Sequence, residues 1–118
     1  SEVVEHYHVT LSINIDGSNV EIPADTGIQD EFCPDGMRGI HTHDSTGKLH
    51  IETPGQENGT IGAFFAIWNQ TFNQNQILDN QANSEFEIIM EVNGQQNNEY
   101  QHYLMHDGDQ IEIRYQVK

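Results

Sequence analysis

The chain has 118 residues, of which 35% are hydrophobic, and this is enough for one core but too little for a second domain. With 19 acidic against 4 basic residues the formal net charge is −15, which excludes attraction to nucleic-acid phosphates or to anionic lipid surfaces. The single cysteine forms no disulfide within the chain, and no apolar run approaches the roughly 20 residues of a membrane-spanning helix. We therefore expect one domain over residues 1–118.

The first predicted element is a β-hairpin. Apolar and polar side chains alternate along residues 6–15, the period of a strand with one face on a core. The apolar set is Tyr7, Val9, Leu11, Ile13 and Ile15. Asp16 and Gly17 form a hairpin turn signal, and the alternation continues to Ile22 until Pro23 ends the partner strand.

A loop and a second hairpin are predicted next. Residues 24–38 combine glycine, proline and several acids, which is typical of a loop. Residues 39–43 and 48–52 each favour a short strand, and residues 44–47 between them favour a turn. This second hairpin is inserted before the helix.

One helix is predicted after Thr60, whose hydroxyl can accept a hydrogen bond from an unpaired amide of the first turn. Large apolar residues then share one helical face, which we expect to pack on the sheet: Ile61, Phe64, Phe65 and Trp68. Residues 69–85 are polar and rich in Asn and Gln, so we expect a long connection or a loosely ordered segment there.

Two more strands are predicted near the C-terminal end, where alternation runs over residues 86–92 and 111–117. Together these elements predict an α+β fold, a mixed β-sheet with one core helix across one face. The run from Met90 to Gly94 and the run over residues 104–113 resemble the second half of ubiquitin-like domains, especially small sulfur carriers. That resemblance implies a β-grasp fold with an inserted β-hairpin. Sulfur carriers are activated at a terminal Gly-Gly, which is absent at residues 115–118, so their chemistry is not expected.

The histidines form the most informative pattern in the sequence. His6 and His8 are two apart on the first strand, and His41 and His43 are two apart in the second hairpin, so each pair points to one side of its strand. Apolar residues occupy the opposite face of the first strand, so its pair does not fill the core. If these strands are neighbours, His50 joins them, and neutral imidazoles on one face suit zinc, copper or nickel. A solvated polar face or a polar interface is the alternative.

Four other side chains are further candidate ligands. Together with His41 and His43, Cys33 and Met37 make up a set of sulfur and imidazole donors, although their spacing does not match that of blue-copper sites. Cys33 is therefore interpreted as an accessory ligand or a small packed residue. His102 and His106 are four apart in a region that favours strand and turn, and we expect them to be surface histidines, with a second, weaker site as the alternative.

Two carboxylates are candidates for positioning the imidazoles. Asp44 follows His43 directly, and Glu52 shares a strand face with His50. Either carboxylate can orient an imidazole by accepting its other ring N–H. The alternative interpretation is that both are ordinary surface carboxylates.

Four stretches of the chain together resemble a poorly characterised family of exported or membrane-anchored archaeal and bacterial domains. They are His6-Tyr7-His8, residues 22–28, residues 39–54 with the His41-Thr42-His43-Asp44 run, and the helix after Thr60. The resemblance covers roughly residues 5–115 and implies a shared site and an extracellular or cell-surface location. Cys33 matches a cysteine of the pattern, but residues 34–36 lengthen the segment that follows it. The abrupt start at Ser1 leads us to expect that a leader or anchor has been removed.

The leading functional hypothesis is an extracytoplasmic metal-binding domain for capture, delivery or sensing, with copper preferred over zinc as the bound ion. A β-grasp interaction module that binds a protein or a polymer without stoichiometric metal is an alternative. A zinc hydrolase with three His ligands and Glu52 or Asp44 as base is another, but no catalytic spacing supports it, so we do not expect an enzyme. Besides the metal ion, the candidate partners are another protein and a second copy of the chain.

Overall fold

The main elements of the fold are a mixed sheet and one α-helix, seen in a computed structural model that describes residues 5–29, 38–53 and 58–118. The strands are β1 (Glu5–Ile15), β2 (Ser18–Val20), β3 (Ile40–His41), β4 (Lys48–Thr53), β5 (Phe72–Asn73), β6 (Gln76–Ile77), β7 (Asn80–Gln81), β8 (Phe86–Val92), β9 (Gln95–Gln96) and β10 (Gln110–Val117). The helix α1 is Ile61–Trp68, and a 3-10 helix follows at Tyr100–His102. The predicted α+β class, with a mixed sheet and one helix, is confirmed.

The main sheet has the strand order β3-β4-β1-β10-β8-β9, and β2 also pairs with β1. β1 and β10 are parallel, whereas the other pairs are antiparallel. The alternation predicted for β1 holds, because Val9, Leu11 and Ile13 are each at most 2% exposed. They face the core, which leaves the intervening polar residues on the other face.

β1 has two different neighbours along one of its sides. Its N-terminal half, as far as Thr10, pairs with β4, and its last three residues pair with β2. Thr10 also pairs with Gln110 of β10 on the opposite side of the strand. The inserted hairpin therefore lies beside the half of β1 that carries His6 and His8.

The helix α1 begins as the sequence predicts. The Thr60 side chain accepts a hydrogen bond of 3.1 Å from the Ala63 amide, and Asn69 ends the helix in the left-handed conformation with its amide bonded to the last turn. The predicted apolar face is buried in the core at Ile61, Phe64 and Phe65. None of the helices in the described residues is both long enough and apolar enough to cross a membrane.

The expectation of a loosely ordered connection over residues 69–85 is wrong. This segment folds as a small antiparallel sheet in the order β5-β6-β7. Phe72 and Ile77 anchor it in the core, and the ring centroid of Phe72 lies 5.0 Å from that of Phe65. Asn-rich turns satisfy the backbone locally, as where Asn73 accepts from the Asn75 amide, and this turn chemistry is compatible with the polar composition.

Candidate metal centre

Three strands bring histidines into one row across the sheet. The register pairs His8 of β1 with His50 of β4, and His50 with His41 of β3. Residues directly opposite one another in neighbouring strands point to the same face. The ring centroids of His8 and His50 are accordingly 4.6 Å apart, and those of His41 and His50 are 5.4 Å apart.

His43 completes a group of three that can hold a metal ion. One ligand nitrogen from each of His41, His43 and His50 lies within 4.8 Å of the others. In a tetrahedral site with metal–nitrogen bonds of about 2.0–2.1 Å, ligand atoms are roughly 3.4 Å apart. Small side-chain rotations would therefore bring the three nitrogens onto one ion. The group spans an exposure gradient, because His41 is buried, His50 is partly buried and His43 is exposed.

The ring of His41 is fixed by a backbone contact. Its Nδ1 lies 2.8 Å from the Arg38 carbonyl oxygen, which can only accept, so Nδ1 carries the proton and donates. The side chain is 0% exposed, and its Nε2 is the one buried side-chain nitrogen or oxygen of the described residues without a hydrogen-bond partner. Buried polar atoms are normally satisfied, so this lone pair is a candidate metal ligand.

His50 is held in its neutral form. Burial, reinforced by the neighbouring imidazoles of His8, His43 and His41, lowers the pKa of His50 from 6.5 to about 4. The ring thus carries a free lone pair at neutral pH. A metal ion needs that lone pair, since protonated imidazole does not coordinate.

Thr42 holds the histidine pair in place. It lies between His41 and His43 and is 0% exposed. Its hydroxyl donates to the Pro23 carbonyl oxygen at 2.8 Å and accepts from the Thr26 amide at 3.0 Å, and its own amide donates to the Thr26 carbonyl oxygen. The loop after β2 is thereby tied to the ligand segment. Thr42 was not among the predicted site residues, although its place inside the His41-Thr42-His43 run was an available signal.

The turn after β3 carries His43, although the strand itself ends at His41. Asp44 accepts from the Thr46 amide at 3.0 Å, and the hydrogen bonds from Thr46 lower the pKa of the Asp44 carboxyl. The described hydrogen bonds of Asp44 thus stabilise the turn. Its predicted role in orienting an imidazole stays a prediction.

Glu52 lies between two of the histidines. Its Oε1 is 3.6 Å from His6 Nε2 and 3.8 Å from His41 Nε2. The register places Glu52 opposite His6, and the His6 ring is 5.7 Å from that of His8. The five predicted histidines therefore form one continuous cluster with one carboxylate beside it.

The remaining candidate ligands are Cys33, Met37, His102 and His106. Cys33 and Met37 are outside the described residues. His102 and His106 are exposed, as predicted, and His106 lies near Tyr103 and Asp109. Within residues 5–29, 38–53 and 58–118, the group that can hold a metal consists of His41, His43 and His50.

Searches for similar proteins among family models, curated proteins and solved structures found no match. The geometry of this site is therefore the main basis for its proposed function.

Proposed function

We propose that the protein binds one divalent transition-metal ion through His41, His43 and His50, and serves in metal capture, delivery or sensing. Cu²⁺ is the proposed ion and Zn²⁺ the alternative. The resemblance of the histidine-rich runs to exported domains supports a location outside the cytoplasm.

The observation that carries this proposal is the unpartnered Nε2 of His41. Leaving a buried acceptor unsatisfied costs about 1–3 kcal/mol, so a fold normally avoids it. Here the opposite ring nitrogen is bonded to the Arg38 carbonyl oxygen, which is the arrangement that orients metal-binding histidines in general. His41 belongs to the three-histidine group, and a bound ion would satisfy its Nε2 lone pair.

The donor types support the choice of metal. Imidazole nitrogens bind copper and zinc well, and among first-row divalent ions Cu²⁺ is bound most tightly by a given nitrogen and oxygen donor set. Copper binding at this site therefore needs no sulfur ligand. Zn²⁺ fits the same donors in tetrahedral geometry, so it remains the alternative wherever copper is scarce.

We also propose that the fold is a β-grasp variant with an inserted hairpin. The central parallel pairing of β1 with β10 and the position of α1 between them in the chain support this assignment. In this arrangement β3 and β4 are the inserted hairpin. β3 carries His41, β4 carries His50, and the turn between them carries His43.

The test is the metal content of the untagged protein, reconstituted separately with Cu²⁺ and with Zn²⁺ and dialysed against a weak chelator. We expect one tightly held ion per chain by elemental mass spectrometry. His41→Ala and His43→Ala should lower the affinity by more than the roughly 10–100-fold that loss of an outer partner costs. His102→Ala is the matched control and should bind as the wild type does.

Two results would contradict the proposal. The first is wild-type protein that holds only sub-stoichiometric, easily removed metal, which would favour the interaction module. The second is an equal loss of affinity in all three variants, because binding would then not depend on the cluster. For the copper form, electron paramagnetic resonance should detect coordinated imidazole nitrogen in the wild type and fewer such nitrogens in His43→Ala.

A further inference from the structure

We infer that His6 and Glu52 form an outer loading position through which an ion passes to reach the three-histidine cluster. This inference rests on the proposed function and adds a route to it. It predicts that His6 and Glu52 affect the rates at which the ion is loaded and released, although the final site does not require either residue.

The exposure of the side chains defines the direction of the route. The His6 side chain is 63% exposed and that of Glu52 is 36% exposed, whereas His41 is completely buried. An ion arriving from solvent on this side of the cluster meets His6 and Glu52 before it meets His41. His43 is also exposed, so the inferred route concerns the approach to the buried His41.

Glu52 connects the outer and inner positions. The same carboxylate oxygen lies 3.6 Å from His6 Nε2 and 3.8 Å from His41 Nε2. A single oxygen at these distances can stay coordinated while the ion exchanges one imidazole for the other. No step then requires the ion to lose all of its protein ligands at once.

His8 supports the same route from the side. Its ring is 5.7 Å from that of His6 and 4.6 Å from that of His50. The imidazoles thus continue without a gap from the surface to the inner cluster. On arrival the ion gives up one water for each protein ligand that it gains, and on passing inward it releases the His6 imidazole as it gains that of His41, with no electron transfer.

Glu52 also supplies a negative charge, which an imidazole side chain does not. A carboxylate at the entrance attracts a divalent cation, and such local fields raise association rates. A pathway residue lowers the barrier for entry and exit alike, so removing it slows loading and release by the same factor and leaves the dissociation constant unchanged. A true ligand behaves differently, because its removal speeds release and weakens binding.

The experiment is stopped-flow loading of the metal-free protein with Co²⁺, followed by visible absorption, and release into excess chelator. The variants are His6→Ala and the isosteric Glu52→Gln, with His102→Ala as the exposed control. We expect both variants to load about tenfold more slowly, on the scale of electrostatic rate effects. His6→Ala should also release the ion about tenfold more slowly, with its dissociation constant within threefold of the wild type.

The inference is overturned if either variant loads at the wild-type rate, or if His6→Ala weakens binding through faster release alone. Uptake of two Co²⁺ ions per wild-type chain would also overturn it, because the outer position would then be a second site. Failure of the proposed function is distinguishable, since the wild type would then hold no stoichiometric Co²⁺ at all.

Discussion

The rings of His41 and His50 lie parallel, with centroids 5.4 Å apart and planes at 4° to each other. They are register partners on β3 and β4, so their relative position follows from strand pairing. The His43 ring is steeply inclined to both, at 75° and 74°. Strand pairing thus positions His41 and His50, and the turn positions His43. The three rings therefore present their nitrogens to the cluster from different directions.

His41 should occupy one tautomer. Because Nδ1 donates to the Arg38 carbonyl oxygen, we expect long-range ¹H–¹⁵N correlation spectra of the metal-free protein to show a protonated Nδ1 and an unprotonated Nε2. Addition of one equivalent of Zn²⁺ should shift Nε2 strongly and leave Nδ1 protonated. A proton found on Nε2 would contradict the proposed ligand atom.

His50 should make the metal-free protein lose stability in mild acid. Its pKa is about 4 when folded against an ordinary value of 6.5, so between these values the unfolded chain binds more protons than the folded one. The contribution of His50 to the free energy of unfolding is therefore fully present above about pH 6.5 and is lost as the pH falls toward 4.

The measurement is urea unfolding between pH 7.5 and pH 5, compared with His50→Gln. The wild type should lose more stability than the variant over this interval, because glutamine does not titrate. His102→Gln serves as the control for an exposed histidine and should follow the wild type. If His50→Gln followed it as well, burial of His50 would have no effect on protonation.

Gly47 should tolerate no side chain. It adopts φ +89°, and an added Cβ would overlap the Leu11 carbonyl oxygen. Gly94 has a similar φ of +83° with open space around it, so Gly94→Ala carries the same backbone strain without the clash. We expect Gly47→Ala to lower the free energy of unfolding by about 1–3 kcal/mol more than Gly94→Ala does.

Chemical denaturation of both variants tests this difference. Gly47 also ends the turn that carries His43, and its carbonyl oxygen accepts the Leu11 amide at 2.8 Å. Gly47→Ala should therefore weaken Cu²⁺ binding as well, whereas Gly94→Ala should not. Equal destabilisation by the two substitutions would show that the contact with β1 is looser than described.

Metal binding should stabilise the fold through the cluster. A ligand that binds only the folded state at a free concentration 100 times its dissociation constant adds about 2.7 kcal/mol to the free energy of unfolding. We expect Zn²⁺ to raise the melting temperature of the wild type and to leave that of His41→Ala unchanged. The same rise in both proteins would place the binding outside the cluster.

The regular parts of this fold could be predicted from the sequence. Alternation along β1 and β10 and the capped aromatic face of α1 are local signals, since each depends on residues a few positions apart. The segment β5 to β7 was missed because its apolar residues are few. Phe72 and Ile77 reach the core only through tertiary packing, which overrides a polar composition.

The candidate site could be predicted only in part, because it too depends on tertiary packing. The spacing of His6 with His8 places both on one face, and the register confirms that His8 lies beside His50. Sequence does not say which strands are neighbours, so the contacts of Glu52 with both His6 and His41 could not be derived from it. Burial of His41 was equally hidden, because it depends on how the hairpin packs.

The parallel pairing of β1 with β10 has a consequence for how the molecule folds. Leu11 and Ile111 are register partners about 100 residues apart, so the sheet closes only after a long loop has lost its entropy, and such contacts form late. The pairing of His41 with His50 is local to one hairpin. The inner ligands can thus meet early, whereas His6 and His8 join them only when β1 pairs with β4.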